Sequence, residues 1–128
     1  MISIKETEII HNILIDTFGG SKGIRDIGLL EAALARPFAT FDNKDLYPNP
    51  IEKAAAILES IVINHPFVDG NKRTAYTLMR LILLENGVDI LANQEEKYNM
   101  VISASTGKLR FEEIKNWIQT NLTKQNSL

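Results

Sequence analysis

The sequence contains no cysteine among its 128 residues. This absence excludes disulfide bonds, cysteine-based zinc sites and thiol catalysis, and it fits a cytoplasmic protein. Histidine is also scarce, since His11 and His65 are the only two, which leaves little for a transition-metal site. No uncharged apolar run approaches the ~18 residues of a membrane-spanning helix. Charged residues such as Glu6 and Glu8 interrupt the start of the chain, so we expect no signal peptide.

The charge balance adds one more exclusion. The formal net charge is −2 at pH 7, which argues against general binding to nucleic acid. We therefore expect neither nucleic acid nor a membrane among the partners.

Helical spacing of apolar residues runs through most of the chain. A chain of 128 residues with 45% hydrophobic residues is long enough to form one domain with its own core. The spacing predicts an all-α fold with about six helices, over residues 4–18, 27–35, 50–64, 73–85, 94–105 and 111–122. We expect one domain over residues 1–122 and a polar tail over residues 123–128.

Two of the predicted helices are apolar on nearly all sides, which indicates a central pair. They cover residues 50–64 and 73–85, and a short loop rich in turn-forming residues joins them. Because the core would hold this loop at both ends, its side chains would be fixed in place. Either Asp69 or Asn71 could cap the second helix.

The loop also collects residues suited to phosphate chemistry. The first turn of a helix has unpaired N–H groups that favour an anion, and Lys72 and Arg73 would add two cations there. Gly70 would allow a ligand to approach the backbone closely. Asp69 offers a hard oxygen ligand for Mg²⁺, and His65 can accept a proton near neutral pH. The combination predicts phosphoryl or nucleotidyl transfer, and a polar loop with no such role is the alternative.

Residues 65–75 resemble the signature loop of the Fic/Doc family, written His-x-Phe-x-Asp/Glu-Gly-Asn-Gly-Arg-x-x-Arg in the Fic branch. The matching residues are His65, Phe67, Asp69, Gly70, Asn71 and Arg73. Lys72 replaces the second glycine of the Fic pattern, and Tyr76 replaces its second arginine. Both departures are similar to the Doc (death-on-curing) branch, whose loop reads Asn-Lys-Arg-Thr-Ala. Residues 23–37 match a further run of that branch.

The resemblance implies a role for each residue of the loop. His65 would take the proton from a hydroxyl of the target protein, and Asp69 would hold Mg²⁺ against the nucleotide phosphates. Backbone N–H groups around Gly70, Asn71 and Lys72 would form an anion hole, helped by the Asn71 side chain. Arg73 would neutralise phosphate charge together with Lys72.

Two further residues of the loop have supporting roles by the same resemblance. Phe67 would pin the loop to the core. Thr74 would cap the helix or touch phosphate.

The resemblance also implies an activity and partners. ATP would be the co-substrate, and the lysine in place of glycine favours transfer of the γ-phosphate to a serine or threonine hydroxyl. The family precedent for the target is translation elongation factor Tu. AMP or nucleotidyl transfer is one alternative, and a catalytically inert binding module is another. Residues 37–49 would form a flap that helps to bind the protein substrate, and a loop whose aromatic side chains only cover the core is the alternative.

Regulation is predicted from a missing motif. Self-inhibited Fic proteins carry Ser/Thr-x-x-x-Glu, and no serine or threonine of this chain has glutamate four residues on. We therefore expect the activity to be inhibited by a separate antitoxin that covers the active-site side. The chain would then be the toxin of a type II toxin–antitoxin system.

Three other residues receive structural interpretations. His11 lies near the apolar stripe of the first helix and is interpreted as a surface or partly packed side chain, with metal binding as the alternative. Arg25 and Arg36 are interpreted as ion-paired surface residues, with contact to phosphate as the alternative.

Overall fold

Most residues are helical in the computed structural model, which describes residues 2–124. Within that range there are six α-helices: α1 (Ile4–Phe18), α2 (Ile27–Ala35), α3 (Pro50–Asn64), α4 (Asn71–Glu85), α5 (Gln94–Ser105) and α6 (Phe111–Thr120). A 3-10 turn (Arg36–Phe38) follows α2, and the strands are β1 (Thr40–Phe41), β2 (Lys44–Asp45), β3 (Val88–Ile90) and β4 (Leu122–Lys124). The expected all-α fold with about six helices is confirmed.

Side-chain caps explain why four helices begin where the sequence predicts. Ser3 and Asn93 each form a capping box at the start of α1 and α5. Asp26 and Asn49 accept a backbone N–H at the start of α2 and α3. Each such cap contributes about 1 kcal/mol, because it satisfies an N–H group that the helix itself leaves unpaired.

Helix α3 forms the centre of the core, and α4 packs along it. Residues 54–62 of α3 are buried on every side, because α2, α4, α5 and α6 all contact this helix. The buried face of α4 comprises Thr74, Ala75, Leu78, Met79, Ile82 and Leu83. The predicted central pair is confirmed, and it supports both ends of the loop that joins the two helices.

Two predicted boundaries are wrong. Helix α4 begins at Asn71, two residues earlier than predicted, because Gly70 adopts a left-handed conformation (φ 73°) that starts the helix at once. Helix α6 ends at Thr120, and Leu122–Lys124 pairs with Val88–Ile90 in an antiparallel sheet. The predicted tail therefore begins too early, since residues 123 and 124 belong to a strand. Residues 125–128 lie outside the described range.

The segment that was predicted to be an irregular flap contains a short hairpin. Strands β1 and β2 pair antiparallel across Asp42 and Asn43, which have φ values of 53° and 61°. Positive φ at both turn residues is typical of the tightest hairpin turns, and Asp and Asn tolerate it well. Behind the hairpin, the Lys53 ammonium donates to the Tyr47 carbonyl and so ties the segment to α3.

An ion-pair network around the buried Glu59 carboxylate joins the start of this segment to the core. The Glu59 carboxylate on α3 accepts hydrogen bonds from Arg36 (2.9 Å) and Arg110 (3.0 Å). Burial alone would raise the pKa of Glu59, but the two guanidinium groups outweigh burial and lower it. The interpretation of Arg36 as an ion-paired residue is confirmed. No helix among residues 2–124 is both long and apolar enough to cross a membrane.

Candidate active site

The loop between α3 and α4 begins with a strained residue. His65 ends α3 in a left-handed conformation (φ 48°, ψ 60°), and its side chain is exposed. The Arg25 guanidinium donates to the carbonyl oxygens of Asn64 and His65, each at 2.7 Å. Arg25 therefore forms carbonyl hydrogen bonds at the end of α3 rather than the predicted ion pair. It fixes the backbone from which the predicted base projects.

Phe67 and Asn71 lock the middle of the loop. Phe67 is 1% exposed, and its backbone pairs with Ile24 in an antiparallel bridge. The Asn71 amide oxygen accepts the Phe67 N–H at 2.9 Å, and the amide nitrogen donates to the Phe67 carbonyl at 3.0 Å. The Asn71 side chain therefore does not cap α4, because its oxygen and one of its two amide N–H groups bind the loop backbone. The second N–H of the amide is not used by these bonds, so the predicted contribution of Asn71 to an anion hole stays a prediction.

Two backbone N–H groups hold the Asp69 carboxylate. Ser21 donates to Oδ2 at 3.1 Å and Gly70 donates to Oδ1 at 2.9 Å. These hydrogen bonds, from Ser21 first and then Gly70, lower the pKa of Asp69. The predicted cap by Asp69 is wrong, since its carboxylate braces the neighbouring turn instead. The turn that contains Gly20 lies very close to the Asp69 carboxylate, since a Cβ added at Gly20 would lie 2.6 Å from Asp69 Oδ2.

The first turn of α4 carries the predicted cations. Lys72 and Arg73 are exposed, and the N–H groups of this turn have no partner within the helix. The Arg73 guanidinium carbon lies 3.9 Å from the centre of the Phe18 ring at the end of α1. Thr74 is fully buried, and its hydroxyl has no hydrogen-bonding partner among the described residues. Thr74 therefore is no cap, and its burial argues against the predicted contact with a nucleotide.

A cleft of about 420 Å³ opens between this turn and α5. Asp69, Gly70, Lys72 and Arg73 form one part of its lining. The α5 wall was not predicted from the sequence, and it contributes Gln94, Lys97, Tyr98, Val101 and Ile102. His65, Asn71 and Thr74 do not belong to the lining.

Two tyrosines give the cleft an aromatic part. Tyr76 lines it with a buried hydroxyl that has no partner in the described part of the chain, and burial raises the pKa of this hydroxyl. Tyr98 is 65% exposed and stands one turn after Gln94 on α5. Gln94, Tyr98 and Ile102 are spaced four residues apart, so they lie on one face of α5. This spacing is the signal from which the α5 wall of the cleft could have been predicted.

The side chains at the cleft that could bind a metal ion fit only a site with a single carboxylate ligand. No cluster of three or more His, Asp or Glu residues that could hold a metal ion exists among residues 2–124. Asp69 is a single exposed carboxylate, and each of its oxygens keeps a lone pair beyond the N–H bond described above. Mg²⁺ is commonly held by one or two carboxylates together with substrate phosphates. Asp69 therefore fits an ion that a nucleotide brings with it.

His11 is a member of the site that sequence reasoning missed. Its side chain is 1% exposed, whereas a surface or partly packed histidine was predicted. The ring stacks on Phe67, and Nε2 lies 2.7 Å from the Asp69 carbonyl oxygen. Thr7, His11 and Ile15 are the buried residues of α1, so their four-residue spacing was a signal available in the sequence.

Comparison with known proteins identifies the family of the chain. The sequence model of the Fic/DOC family matches residues 2–83, so the chain belongs to the Fic/DOC family. Its relatives further place it in the Doc branch. It is 51% identical over 76 residues to "Toxin Doc" of Mycolicibacterium smegmatis and 32% identical over 108 residues to "Protein kinase doc" of Escherichia phage P1.

The extent of these matches differs. The smegmatis match covers 59% of this chain and 58% of the relative, whereas the phage match covers 84% of both. "Protein adenylyltransferase fic-1" of Caenorhabditis elegans is 37% identical over 73 residues, which is 54% of this chain and 14% of that protein.

Proposed function

We propose that this protein is a toxin that acts as a protein kinase, transferring the γ-phosphate of ATP to a serine or threonine hydroxyl of another protein. One observation carries the proposal: Asp69, Lys72 and Arg73 meet at the start of α4, in a cleft that continues along α5. A helix start with two added cations suits phosphates, and the apolar wall beside Tyr98 suits a nucleoside.

The residues divide the transfer step between them. The substrate hydroxyl oxygen bonds to the γ-phosphorus of ATP while the bond from that phosphorus to the ADP oxygen breaks, and the hydroxyl proton passes to His65. General-base assistance of this kind contributes about 10²–10⁴ in rate. Lys72 and Arg73 offset negative charge on the phosphoryl oxygens, and Asp69 would hold a Mg²⁺ ion, which would supply further positive charge for the phosphates.

Lys72 and Tyr76 favour phosphate transfer over AMP transfer. The lysine adds charge and bulk at the anion-binding turn, where the Fic pattern has glycine. Tyr76 lines the cleft with a polar hydroxyl but no charge, where the Fic pattern has arginine. The relative named a protein kinase supports this assignment, and the relative named an adenylyltransferase makes AMP transfer the second candidate.

The protein substrate and the regulator are also proposals. We propose elongation factor Tu as the substrate, and the exposed Phe41 of the β1–β2 hairpin gives a protein substrate an apolar contact surface. A separate antitoxin would cover the active-site side, since this chain lacks the self-inhibitory motif and one relative is named a toxin.

Labelled ATP tests the activity. Purified protein would be incubated with elongation factor Tu, Mg²⁺ and ATP labelled at either the α- or the γ-phosphate. The kinase assignment predicts label from the γ position only, with a mass gain of one phosphate that is absent with His65→Ala. Label from the α position would show that the protein transfers AMP and would refute the kinase assignment. No modification of elongation factor Tu or of any protein in a cell extract would refute transfer and leave a binding module.

Expression in cells tests the regulation. The wild-type protein should arrest growth, and the His65→Ala variant should not, although both are folded by circular dichroism. Growth at the normal rate with the wild-type protein well expressed, and no co-purifying partner from its native host, would contradict the toxin–antitoxin assignment.

A further inference from the structure

The His11 ring occupies a defined position behind the active-site loop. It stacks on Phe67 with ring centres 4.0 Å apart and an angle of 7° between the planes. Its Nε2 atom lies 2.7 Å from the carbonyl oxygen of Asp69, across 58 residues of sequence. A carbonyl oxygen only accepts hydrogen bonds, so Nε2 must carry a proton and donate it.

We infer that His11 is a positioning residue, which sets the orientation of the Asp69–Gly70 peptide and through it the Asp69 carboxylate. The inference rests on the proposed function only in that Asp69 is there the residue that holds Mg²⁺. Nothing in the signature loop itself reveals this role, because His11 lies on a different helix.

The peptide plane connects His11 to the carboxylate. In a trans peptide the C=O and N–H groups point in opposite directions. Because the Asp69 carbonyl points towards His11, the Gly70 N–H points away from the His11 ring, and it donates to Asp69 Oδ1 at 2.9 Å. One hydrogen bond on the α1 side therefore determines the hydrogen bond on the opposite side of the peptide.

Without His11 this peptide would be easy to rotate. Gly70 has no Cβ and has a φ of 73°, so rotation of the peptide meets little steric resistance. A rotated peptide would present the Asp69 carbonyl oxygen to the Asp69 carboxylate in place of the Gly70 N–H. The partly negative carbonyl oxygen would then face the negative carboxylate, and the carboxylate would turn away.

The shape of histidine suits both contacts at once. A flat ring stacks on Phe67, while an N–H at the edge of that ring reaches the carbonyl. Space behind the peptide is limited, since a Cβ added at Gly70 would lie 3.0 Å from Ile15 Cδ1 and 3.5 Å from His11 Nε2. Phenylalanine would keep the stacking and lose the donor, whereas glutamine would keep a donor and lose the stacking.

These two substitutions form a matched pair for the test. The variants His11→Phe and His11→Gln would be compared with the wild type after thermal unfolding has shown that each is folded. The Mg²⁺ concentration needed for half-maximal binding of ATP should rise about 10- to 100-fold in His11→Phe, as is typical when support of a metal ligand is lost. His11→Gln should recover most of that loss. Equal Mg²⁺ requirements in folded His11→Phe and wild type would overturn the inference.

A second readout needs neither nucleotide nor activity. In ¹⁵N-labelled protein, the Gly70 amide resonance should shift and its hydrogen exchange should quicken in His11→Phe, with partial recovery in His11→Gln. An unchanged Gly70 amide in folded His11→Phe would refute the role of His11. If the wild-type protein bound no ATP but the Gly70 amide responded in this way, the proposed function would fail and the positioning role would stand.

The wild-type protein alone gives a third readout, which serves if His11→Phe does not fold. A long-range ¹H–¹⁵N spectrum at pH 8 reports which ring nitrogen carries the proton. Protonated Nε2 in His11 is the expected result. A proton on Nδ1 with a bare Nε2 would overturn the inference, since that ring could not donate to the Asp69 carbonyl.

Discussion

Replacing Gly20 by alanine should disturb the active site more than the fold. A Cβ at this position would lie 2.6 Å from Asp69 Oδ2 and 3.1 Å from Ile15 Cδ1. Non-bonded carbon and oxygen atoms do not approach to 2.6 Å, so one side must move. The carboxylate is the free end of a side chain and moves more easily than a backbone. We therefore expect Gly20→Ala to push Asp69 away from the hydrogen bond with the Ser21 N–H.

The neighbouring glycine provides a matched control. Gly19 also has a positive φ (91°, against 117° for Gly20), but a Cβ there would meet no atom within 4 Å. Alanine at either position costs about 1–3 kcal/mol of backbone strain, so both variants should lose a similar amount of unfolding free energy in urea. Only Gly20→Ala adds the collision with Asp69.

The affinity for Mg²⁺ and ATP should separate the two variants. Loss of a residue that orients a metal ligand typically lowers metal affinity by about 10- to 100-fold. We expect a loss in that range for Gly20→Ala and a loss of less than about threefold for Gly19→Ala, as measured by titration calorimetry at 25 °C. Equal affinities in the two variants, with equal stabilities, would refute the claim that close approach of Gly20 positions Asp69.

Three further substitutions test other parts of the structure. Glu59→Gln should lower the unfolding free energy at pH 7 by about 2 kcal/mol, because it removes the charge of a carboxylate that binds two guanidinium groups. The pKa of Glu59 is lowered in the folded protein, where guanidinium hydrogen bonds outweigh burial. Its stabilisation is therefore complete above the ordinary carboxyl pKa and is lost as the pH falls through the folded pKa. The difference from wild type in urea should thus narrow below about pH 4, and a constant difference would contradict the ion-pair account. Thr74→Val should raise the unfolding free energy by about 1 kcal/mol, since it removes a buried hydroxyl without a described partner. A weakened affinity for ATP would instead reveal a nucleotide contact. Phe18→Leu should slow substrate modification by about two- to fivefold, the equivalent of one exposed cation–π contact with Arg73. An unchanged rate would show that the ring does not position Arg73.

Local signals in the sequence were sufficient for most of the helices. The starts of α1, α2, α3 and α5 were predicted correctly, because apolar spacing and a polar cap occur together at each. Helix α4 was placed two residues too late, since its start is set by the left-handed Gly70 rather than by a side-chain cap. Residues 122–124 were misassigned because their strand partner lies at residues 88–90, which no local pattern reveals.

The signature loop was found from the sequence, but its supports were not. Residue types identified Asp69 and the cations of α4, and they gave no information on which atoms would hold them. In the structure the Asn71 side chain forms hydrogen bonds with the Phe67 backbone, and the Asp69 carboxylate accepts a hydrogen bond from the Ser21 N–H. Such contacts depend on how α1 and the turn after it pack against the loop. Periodicity can indicate that His11 lies on the buried face of α1, but it does not indicate which distant residue His11 contacts.

Support from two sides distinguishes this site from an ordinary polar loop. The α3–α4 pair fixes the ends of the loop from the core, and the α1 region contacts Asp69 through His11 and Ser21 and contacts Arg73 through Phe18. Removing either support would leave every residue of the signature loop present yet free to rotate. Catalytic constellations require placement within about 0.5 Å, and the contacts of Asp69 with His11 and Ser21 come from residues outside the signature. A chain that matched only residues 65–75 of this sequence, without the α1 contacts, should therefore bind Mg²⁺ and ATP weakly.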